Sequence, residues 1–394
     1  MSKIKVRLSR NLRRPLLQGH PWVYREAIAP VSGITRATLA EVSDAKGFIG
    51  WAIYDPHSPL ALRLISTEEV PPTTANRFFE KQFARAWDLR RGQFQQSGSS
   101  GTNAFRLFNG EGDRLPGLVC DVYDRTAVLQ FDGRGPGEFW EREQVANWLV
   151  EKMDVTCVVE KIRRPGTDVE PLVILHGEKP SDRVQVLENG ARFDVNIAKG
   201  QKTGFFLDQR DNRFYVRGFS KGKTVLNLFS YTGGFSISAG LGGAESVTSV
   251  DLSSDAVESA NAGFEINGLE KSRHLGIAAD VFEFLASEKM KWDHVIVDPP
   301  SMSHSEDRKD IAVKKYTELF RQCLARVKSN GQISLSSCSS HISFEDFHEI
   351  TTESLSLARR HGRVLRISGQ GADHPYPHAC PELRYLKFFH LALD

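Results

Sequence analysis

Residues able to do chemistry in this chain fall at the ends of short apolar runs. The run Val225–Phe229 is followed by Ser230-Tyr231-Thr232-Gly233-Gly234, and a second run, Ser246–Val250, ends in Asp251. Gly233 and Gly234 remove side chains where a ligand could approach the backbone. A carboxylate ending the second strand of such a pair can hydrogen-bond a ribose. The turn lacks the full G-x-G-x-x-G spacing and has no phosphate-loop lysine. A nucleoside without a pyrophosphate, such as S-adenosylmethionine, therefore fits better than a dinucleotide or ATP. Ser230, Tyr231, Gly233, Gly234 and Asp251 are its candidate contacts.

Three further runs end in functional groups: HLGIAAD at Asp280, DHVIVDPP at Asp298-Pro299-Pro300, and QISLSSC at Cys338. As successive parallel strands, all these ends would lie at one sheet edge, where open α/β sheets build their sites. Asp280 and Asp298 thereby join the candidate cofactor contacts. Pro299 and Pro300 fix φ and offer no donor, so that turn can present its carbonyls and Asp298 rigidly to a planar ring. Cys338 sits among Ser336, Ser337, Ser339 and Ser340, whose hydroxyls could favour thiolate over thiol. Cytosine C5 is a poor nucleophile until something adds to C6, and a cysteine thiolate can do so. Cys338 and Asp298 are the candidate catalytic pair on that reading. A ring nitrogen or exocyclic amine needs no covalent step, and Cys338 would then be a structural residue.

The elements that must position these groups alternate regularly. After Asp251, Asp255 and Glu258 suit a helix start as cap and return acceptor. Further helices are expected over Tyr316–Val327 and Phe344–His361, followed by the strands VLRISG and YLKFFHLAL. The alternation predicts an α/β, doubly wound, seven-stranded sheet with the last strand inserted antiparallel. Immediately upstream lie a hairpin turning at Asn189-Gly190 and a polar block, Gly200–Arg210.

The first 70 residues read as a small β-rich domain. KIKVRLSR alternates basic and apolar residues, and LAEVSD and FIGWAIYD are strand-like. The first 25 residues hold seven basic groups and no acid. Lys3, Lys5, Arg7 and Arg10, near Trp22 and Tyr24, could track an RNA backbone and stack bases, or form a solvated face over a core. Pro71-Pro72 marks a boundary. Beyond it come a helix from Thr74 to about Gln93, a connector at 97–101, a strand and hairpin around Asp124-Arg125, a helix over Phe139–Lys152, and two strands. Arg163-Arg164 reads as surface charge. The domains expected are 1–72, 73–185 and 186–394.

With 51 basic and 49 acidic residues among 394, overall charge predicts no partner. No apolar stretch reaches membrane-spanning length and no signal-type core follows the basic N-terminus. The five cysteines show neither disulfide nor zinc-ligand spacing, which suits a reduced, cytoplasmic, metal-free protein.

The chain resembles the bacterial 23S rRNA (cytosine-5)-methyltransferase family nearly end to end. The resemblance is carried by LLQGHPWVY, LFNGEGDRLPGLVCDVY, GQKTGFFLDQRDNR, LNLFSYTGGFS, VDLSSDAVESANAGFEIN, DPPS, SSCS, and DHP followed by PELRYLK. It implies an N-terminal PUA-like RNA-binding domain, a central α+β domain and a Rossmann-like catalytic domain. It further implies S-adenosylmethionine on Gly233, Gly234 and Asp251, with Asp280 near the adenine amine. Asp298 would meet the target cytosine, and Cys338 would add to C6. RNA C5-methyltransferases often carry a second cysteine in the strand-four motif; here that motif is Asp-Pro-Pro-Ser. The expected partner is 23S rRNA or a large-subunit precursor, and a homodimer stays open. Two alternatives remain: a guanine-nitrogen methyltransferase with a structural Cys338, and a non-catalytic RNA-binding assembly factor.

Overall fold

The computed structural model describes residues 3–73, 77–94, 101–162, 172–302 and 308–394. The helix start expected at Thr74, positions 97–100 of the connector, and Arg163-Arg164 lie outside the described residues. Two compact units form. One comprises Met1–Leu187, Val195–Leu207 and Ala372–Leu383; the other comprises Glu188–Asp194, Asp208–Gly371 and Arg384–Asp394.

The first unit holds two five-stranded sheets. Strands β1 (Lys3–Arg7), β2 (Trp22–Tyr24), β3 (Thr38–Asp44), β4 (Gly47–Tyr54) and β5 (Leu60–Ser66) pair in the order β1-β3-β4-β5-β2. The short helix α1 (Arg13–Leu17) lies between β1 and β2. The basic–apolar alternation of β1 is realised, with Lys3, Lys5 and Arg7 exposed and Val6 buried. A bridge between Leu8 and Ile28 ties the chain after β2 back to the end of β1.

The second sheet contains β6 (Ala104–Asn109), β7 (Leu118–Tyr123), β8 (Thr126–Phe131), β9 (Cys157–Lys161) and β10 (Leu172–His176), in the order β10-β9-β8-β7-β6. Helix α2 (Phe78–Phe94) buries Phe79, Phe83 and Ala86 in a core shared with Phe108 and Trp148. The helix expected over Phe139–Lys152 starts at Arg142 as α4 (Arg142–Lys152), after a separate short helix α3 (Arg134–Phe139). Trp140 between them is extended, and its indole N–H donates to the Pro116 carbonyl at 3.0 Å. Arg90 is fully buried; it forks onto Asp113 and donates to the Asp373 carbonyl at 2.8 Å, holding the 372–383 segment in this unit. A hairpin follows, β11 (Val184–Glu188) and β12 (Ala191–Val195), with positive φ at Asn189 and Gly190 as its turn demands.

The second unit is built on seven strands. They are β13 (Thr224–Leu228), β14 (Ser246–Asp251), β15 (His274–Ala278), β16 (Trp292–Val297), β17 (Val327–Ser337), β18 (Gly362–Ser368) and β19 (Lys387–Leu393). Their order is β15-β14-β13-β16-β17-β19-β18. The first five run parallel, and β19 enters antiparallel between β17 and β18, as the alternation requires. Helices α5 (Arg210–Gly218), α6 (Gly234–Leu241), α7 (Ser254–Ile266), α8 (Val281–Ser287), α9 (Lys309–Leu324) and α10 (Phe344–Leu357) complete it. Leu226, Val250, Val295 and Ile333 from the strands meet Tyr316, Phe320 and Phe347 from α9 and α10 in one apolar core.

Element ends depart from expectation through local capping. Helix α7 starts from Ser253, whose Oγ accepts the Ala256 N–H, so Asp255 lies in the first turn instead of at the cap. Strand β15 stops at Ala278, and Asp280 is the cap of α8. Val327 opens β17 instead of closing α9, and α10 ends at Leu357 with Arg359 beyond it at φ +51°.

Two histidines of this sheet, His274 half-buried and His390 fully buried, link it to pH. On β15, His274 bonds Ser249 Oγ at 2.7 Å and Asn261 Oδ1 at 2.9 Å; on β19, His390 bonds Ser334 Oγ at 2.9 Å. Burial pulls both down to about 4, from an ordinary value of 6.5. The unfolded chain therefore binds more protons between those values, so stability is full above about pH 6.5 and declines as pH falls toward 4. Each group contributes at most ~1.4 kcal/mol per pH unit in that window. Thermal denaturation should show a lower melting temperature at pH 5 than at pH 7; a flat profile would mean that these rings are protonated in the fold.

Candidate cofactor and catalytic site

Parallel pairing sets Leu228 of β13 opposite both Val250 and Val297, and Val297 opposite Leu335. The 230–234 turn, Asp251, Asp298 and Cys338 consequently emerge at one edge of the sheet. Asp280 lies two residues past the end of β15, on a segment held beside Asp251 by the Ala279 N–H to Asp251 carbonyl bond of 2.9 Å.

The turn after β13 is strained. Phe229 and Tyr231 have φ of +57° and +47°, and Gly233 has +78°. Non-glycine residues pay roughly 1–3 kcal/mol for such conformations, which persist where surrounding bonds over-determine them. Here Ser230 N–H donates to the Val250 carbonyl at 3.0 Å and Tyr231 N–H to Asp251 Oδ2 at 2.7 Å. The other carboxylate oxygen, Oδ1, accepts from Ser253 N–H at 3.0 Å. Asp251 thus shapes the turn and still keeps acceptor capacity on both oxygens. Ser230 Oγ is buried and has no hydrogen-bond partner among the described residues. Such an orphan fits a site completed by a polar ligand. Leu252 and Phe282, which the sequence reading did not single out, are 75% and 40% exposed beside Asp251 and Asp280. An acid with spare acceptors, an orphaned hydroxyl and exposed apolar side chains at one edge fit a nucleoside.

The glycines answer first to packing. A Cβ on Gly233 would lie 2.6 Å from that of Ala260 on α7, and one on Gly234 would lie 3.0 Å from Arg213 Cδ. Arg213 is itself buried and paired with Glu188 at 2.7 and 2.5 Å. These two positions let α6 approach α7 and α5, a packing role that stands beside the ligand clearance read from the sequence. The Asp280 carboxylate is likewise engaged: its Oδ1 accepts from Phe282 and Glu283 N–H at 2.8 and 3.1 Å.

The turns that carry Asp298 and Cys338 are tied together by side chains from remote parts of the sequence. Gln209, just before α5, donates from Nε2 to Asp298 Oδ1 at 2.9 Å and to Ser336 Oγ at 3.4 Å. Asn212 fixes the Gln209 carbonyl at 2.7 Å and is held in turn by Ser368 Oγ at 2.7 Å. The polar block before the sheet therefore orients the strand-four carboxylate. Beyond Pro299 and Pro300, Ser301 Oγ meets Ser339 Oγ at 3.0 Å, joining the strand-four and strand-five turns. Tyr316 OH bonds Ser337 and Ser339 at 3.1 and 3.0 Å. Cys338 is partly exposed; the other four cysteines are buried.

The basic residues of β1 belong to the first unit. Lys5 lies 3.9 Å from Glu41, Arg10 lies 3.9 Å from Glu26, and Lys3 sits 5.7 Å over the Trp51 ring. Trp22 is half-buried and donates to Glu111 at 2.9 Å, whereas Tyr24 is exposed. Among the described residues one trio could offer metal ligands, His20, Cys380 and Glu382 within 4.8 Å of one another. Burial and a hydrogen bond to Glu382 push the Cys380 thiol up to about 12, which makes the trio a neutral-thiol cluster.

A family model for S-adenosylmethionine-dependent methyltransferases matches residues 143–353, and one for PUA-like domains matches residues 6–67. A "Ribosomal RNA large subunit methyltransferase" of Deinococcus radiodurans is 34% identical over 100% of this chain and 98% of its own length. A "Ribosomal RNA large subunit methyltransferase I" of Alteromonas mediterranea is 34% identical over 95% of each. The chain belongs to this methyltransferase family. A structure described as a SAM-dependent methyltransferase from Streptococcus mutans shares 26% identity with a TM-score of 0.83, covering 99% of this chain and all of that one. A second methyltransferase structure, complexed with SAH, has 26% identity and a TM-score of 0.82, covering 100% of both chains. The cofactor of this methyltransferase is S-adenosylmethionine, in keeping with the acceptors and apolar side chains at this edge.

Because Gly233 combines a left-handed φ with a close helix contact, Gly233→Ala should cost about 1–3 kcal/mol of stability. A melting temperature equal to wild type, with weakened cofactor affinity alone, would show that the position serves the ligand and not the packing.

Proposed function

We propose that this methyltransferase transfers a methyl group to C5 of a cytosine in 23S rRNA through a covalent adduct on Cys338. The observation that carries the reading is the placement of Cys338. Of five cysteines it alone is not buried, and it leaves β17 beside the turn that carries Asp298. The names of the relatives support a large-subunit rRNA substrate, and the resemblance noted in the sequence supports cytosine.

S-adenosylmethionine would supply the methyl group from its sulfonium, leaving as S-adenosylhomocysteine. Asp251 would accept from the ribose hydroxyls, Ser230, Tyr231, Gly233 and Gly234 would line the methionine side, and Asp280 with Leu252 and Phe282 would border the adenine. Asp298, held by Gln209, would hydrogen-bond the N3/N4 edge of the cytosine, with Pro299 and Pro300 stiffening the turn beneath the ring. The Cys338 thiolate adds to C6, and electron density passed to C5 makes that carbon the attacking atom. Loss of the C5 proton to water or a nearby base then expels the thiolate and restores the ring. Residues 1–72, with Lys3, Lys5, Arg7 and Arg10 on an exposed strand, would engage the RNA backbone, and 186–394 would perform the transfer.

A hydroxyl is far less nucleophilic than a thiolate. Cys338→Ser should therefore bind cofactor and RNA yet form no detectable 5-methylcytosine. With 5-fluorocytosine at the target, wild type should stall as an adduct that survives denaturing gels, and the variant should not. Near-normal methylation by Cys338→Ser, or a methyl group found on a nitrogen, would sink the proposal.

A further inference from the structure

Beneath the 337–339 turn lies a lysine that the mechanism so far leaves idle. Lys387 opens β19 and is fully buried. Antiparallel pairing sets it opposite Ser337, one residue before Cys338. Its Nζ donates to the Ser339 carbonyl at 2.6 Å and to the Tyr385 carbonyl at 2.8 Å. Two of its three protons are thus spent on backbone, one of them on the residue after the cysteine. Buried ammonium groups are costly and rare unless paired, so this one requires an account. Among the described residues no carboxylate forms an ion pair with it, and two acids of this region are engaged elsewhere. Asp346, in the first turn of α10, is bound to Lys309 at 2.8 Å and to Ser343 N–H at 2.8 Å. Asp298, after β16, is bound to Gln209. Tyr316, from α9, faces the turn through its hydroxyl, and burial raises it, so it stays neutral there.

We propose that Lys387 is a positioning residue that holds Cys338 as a thiolate, acting through its buried charge and its grip on the Ser339 carbonyl. Lys387 pairs opposite Ser337 and bonds the Ser339 carbonyl, the residues on either side of Cys338, and a cation held there favours the thiolate over the thiol. Burial pulls Lys387 down to about 8, which leaves it mainly cationic at neutral pH. The inference rests on the reading of Cys338 as the nucleophile but is tested without RNA or turnover.

The test is the pH dependence of iodoacetamide alkylation at Cys338 in the full chain, followed by peptide mass spectrometry. An ordinary thiol titrates at about 8.5. The wild-type profile should turn well below that, and Lys387→Met should move the inflection up by about one to three units, the span an adjacent opposite charge commands. Alkylation at pH 7 should then fall about ten-fold or more, while Lys387→Arg, which keeps the charge, should restore part of it. A wild-type inflection at 8.5 or above overturns the inference whatever the variants do, and so does a Lys387→Met profile superimposed on wild type. Loss of methylation in Cys338→Ser together with an ordinary wild-type thiol would reject Lys387 alone. Retained methylation in Cys338→Ser with a shifted thiol would reject the proposed reaction and leave Lys387 standing.

Discussion

Everything at the candidate site depends on the register of β13 with its two parallel neighbours. A slip of one residue would turn every strand side chain to the other face and pull the strand ends out of line. A buried polar ladder resists this. Asn227 on β13 donates to Ser236 on α6 at 2.8 Å, Ser236 meets Ser249 on β14 at 2.6 Å, and Ser249 meets His274 on β15 at 2.7 Å. Breaking the register would leave these groups unpaired in a low-dielectric interior, where each lost partner costs about 1–3 kcal/mol. Apolar burial stabilises the sheet, and the polar ladder discriminates among the ways it could pair.

That register also explains how strain can be kept at the turn. Phe229 and Tyr231 hold left-handed backbones because the Ser230 and Tyr231 N–H groups donate to Val250 and Asp251 on a strand that cannot shift. Asp251 is a structural acceptor for the turn and, in the proposed function, also the group offered to the ribose. The other end of the site follows the same logic: Asp298 is held by Gln209, itself fixed by Asn212, and the Cys338 turn is held by Tyr316, Ser301 and Lys387. In the proposed reaction, a nucleophile and a base-binding carboxylate placed this rigidly would require little reorganisation when a cytosine arrives.

The strands, their order of function-bearing ends and the antiparallel last strand were legible because they follow local rules: short apolar runs, alternation with helices, and turn residues. Boundaries were less so. Ser253 outcompetes Asp255 as a cap, and Asp280 looks like a strand end until its two N–H donors reveal a helix start. Tertiary partners were not legible at all. Nothing near Asp298 announces Gln209, 89 positions earlier, and nothing near Cys338 announces Lys387. The glycine pair was read correctly as a special turn, but its tightest neighbour is Ala260 on another helix. Arg163-Arg164, read as surface charge, lies outside the described residues.

The central claim is that carbon, not nitrogen, receives the methyl group, and the fate of the C5 hydrogen tests it most directly. Transfer to C5 must expel that hydrogen; transfer to a ring or exocyclic nitrogen leaves it in place. With rRNA carrying tritium at cytosine C5, the account predicts one tritium released to water for each methyl group incorporated. Methyl incorporation with no tritium release would contradict it.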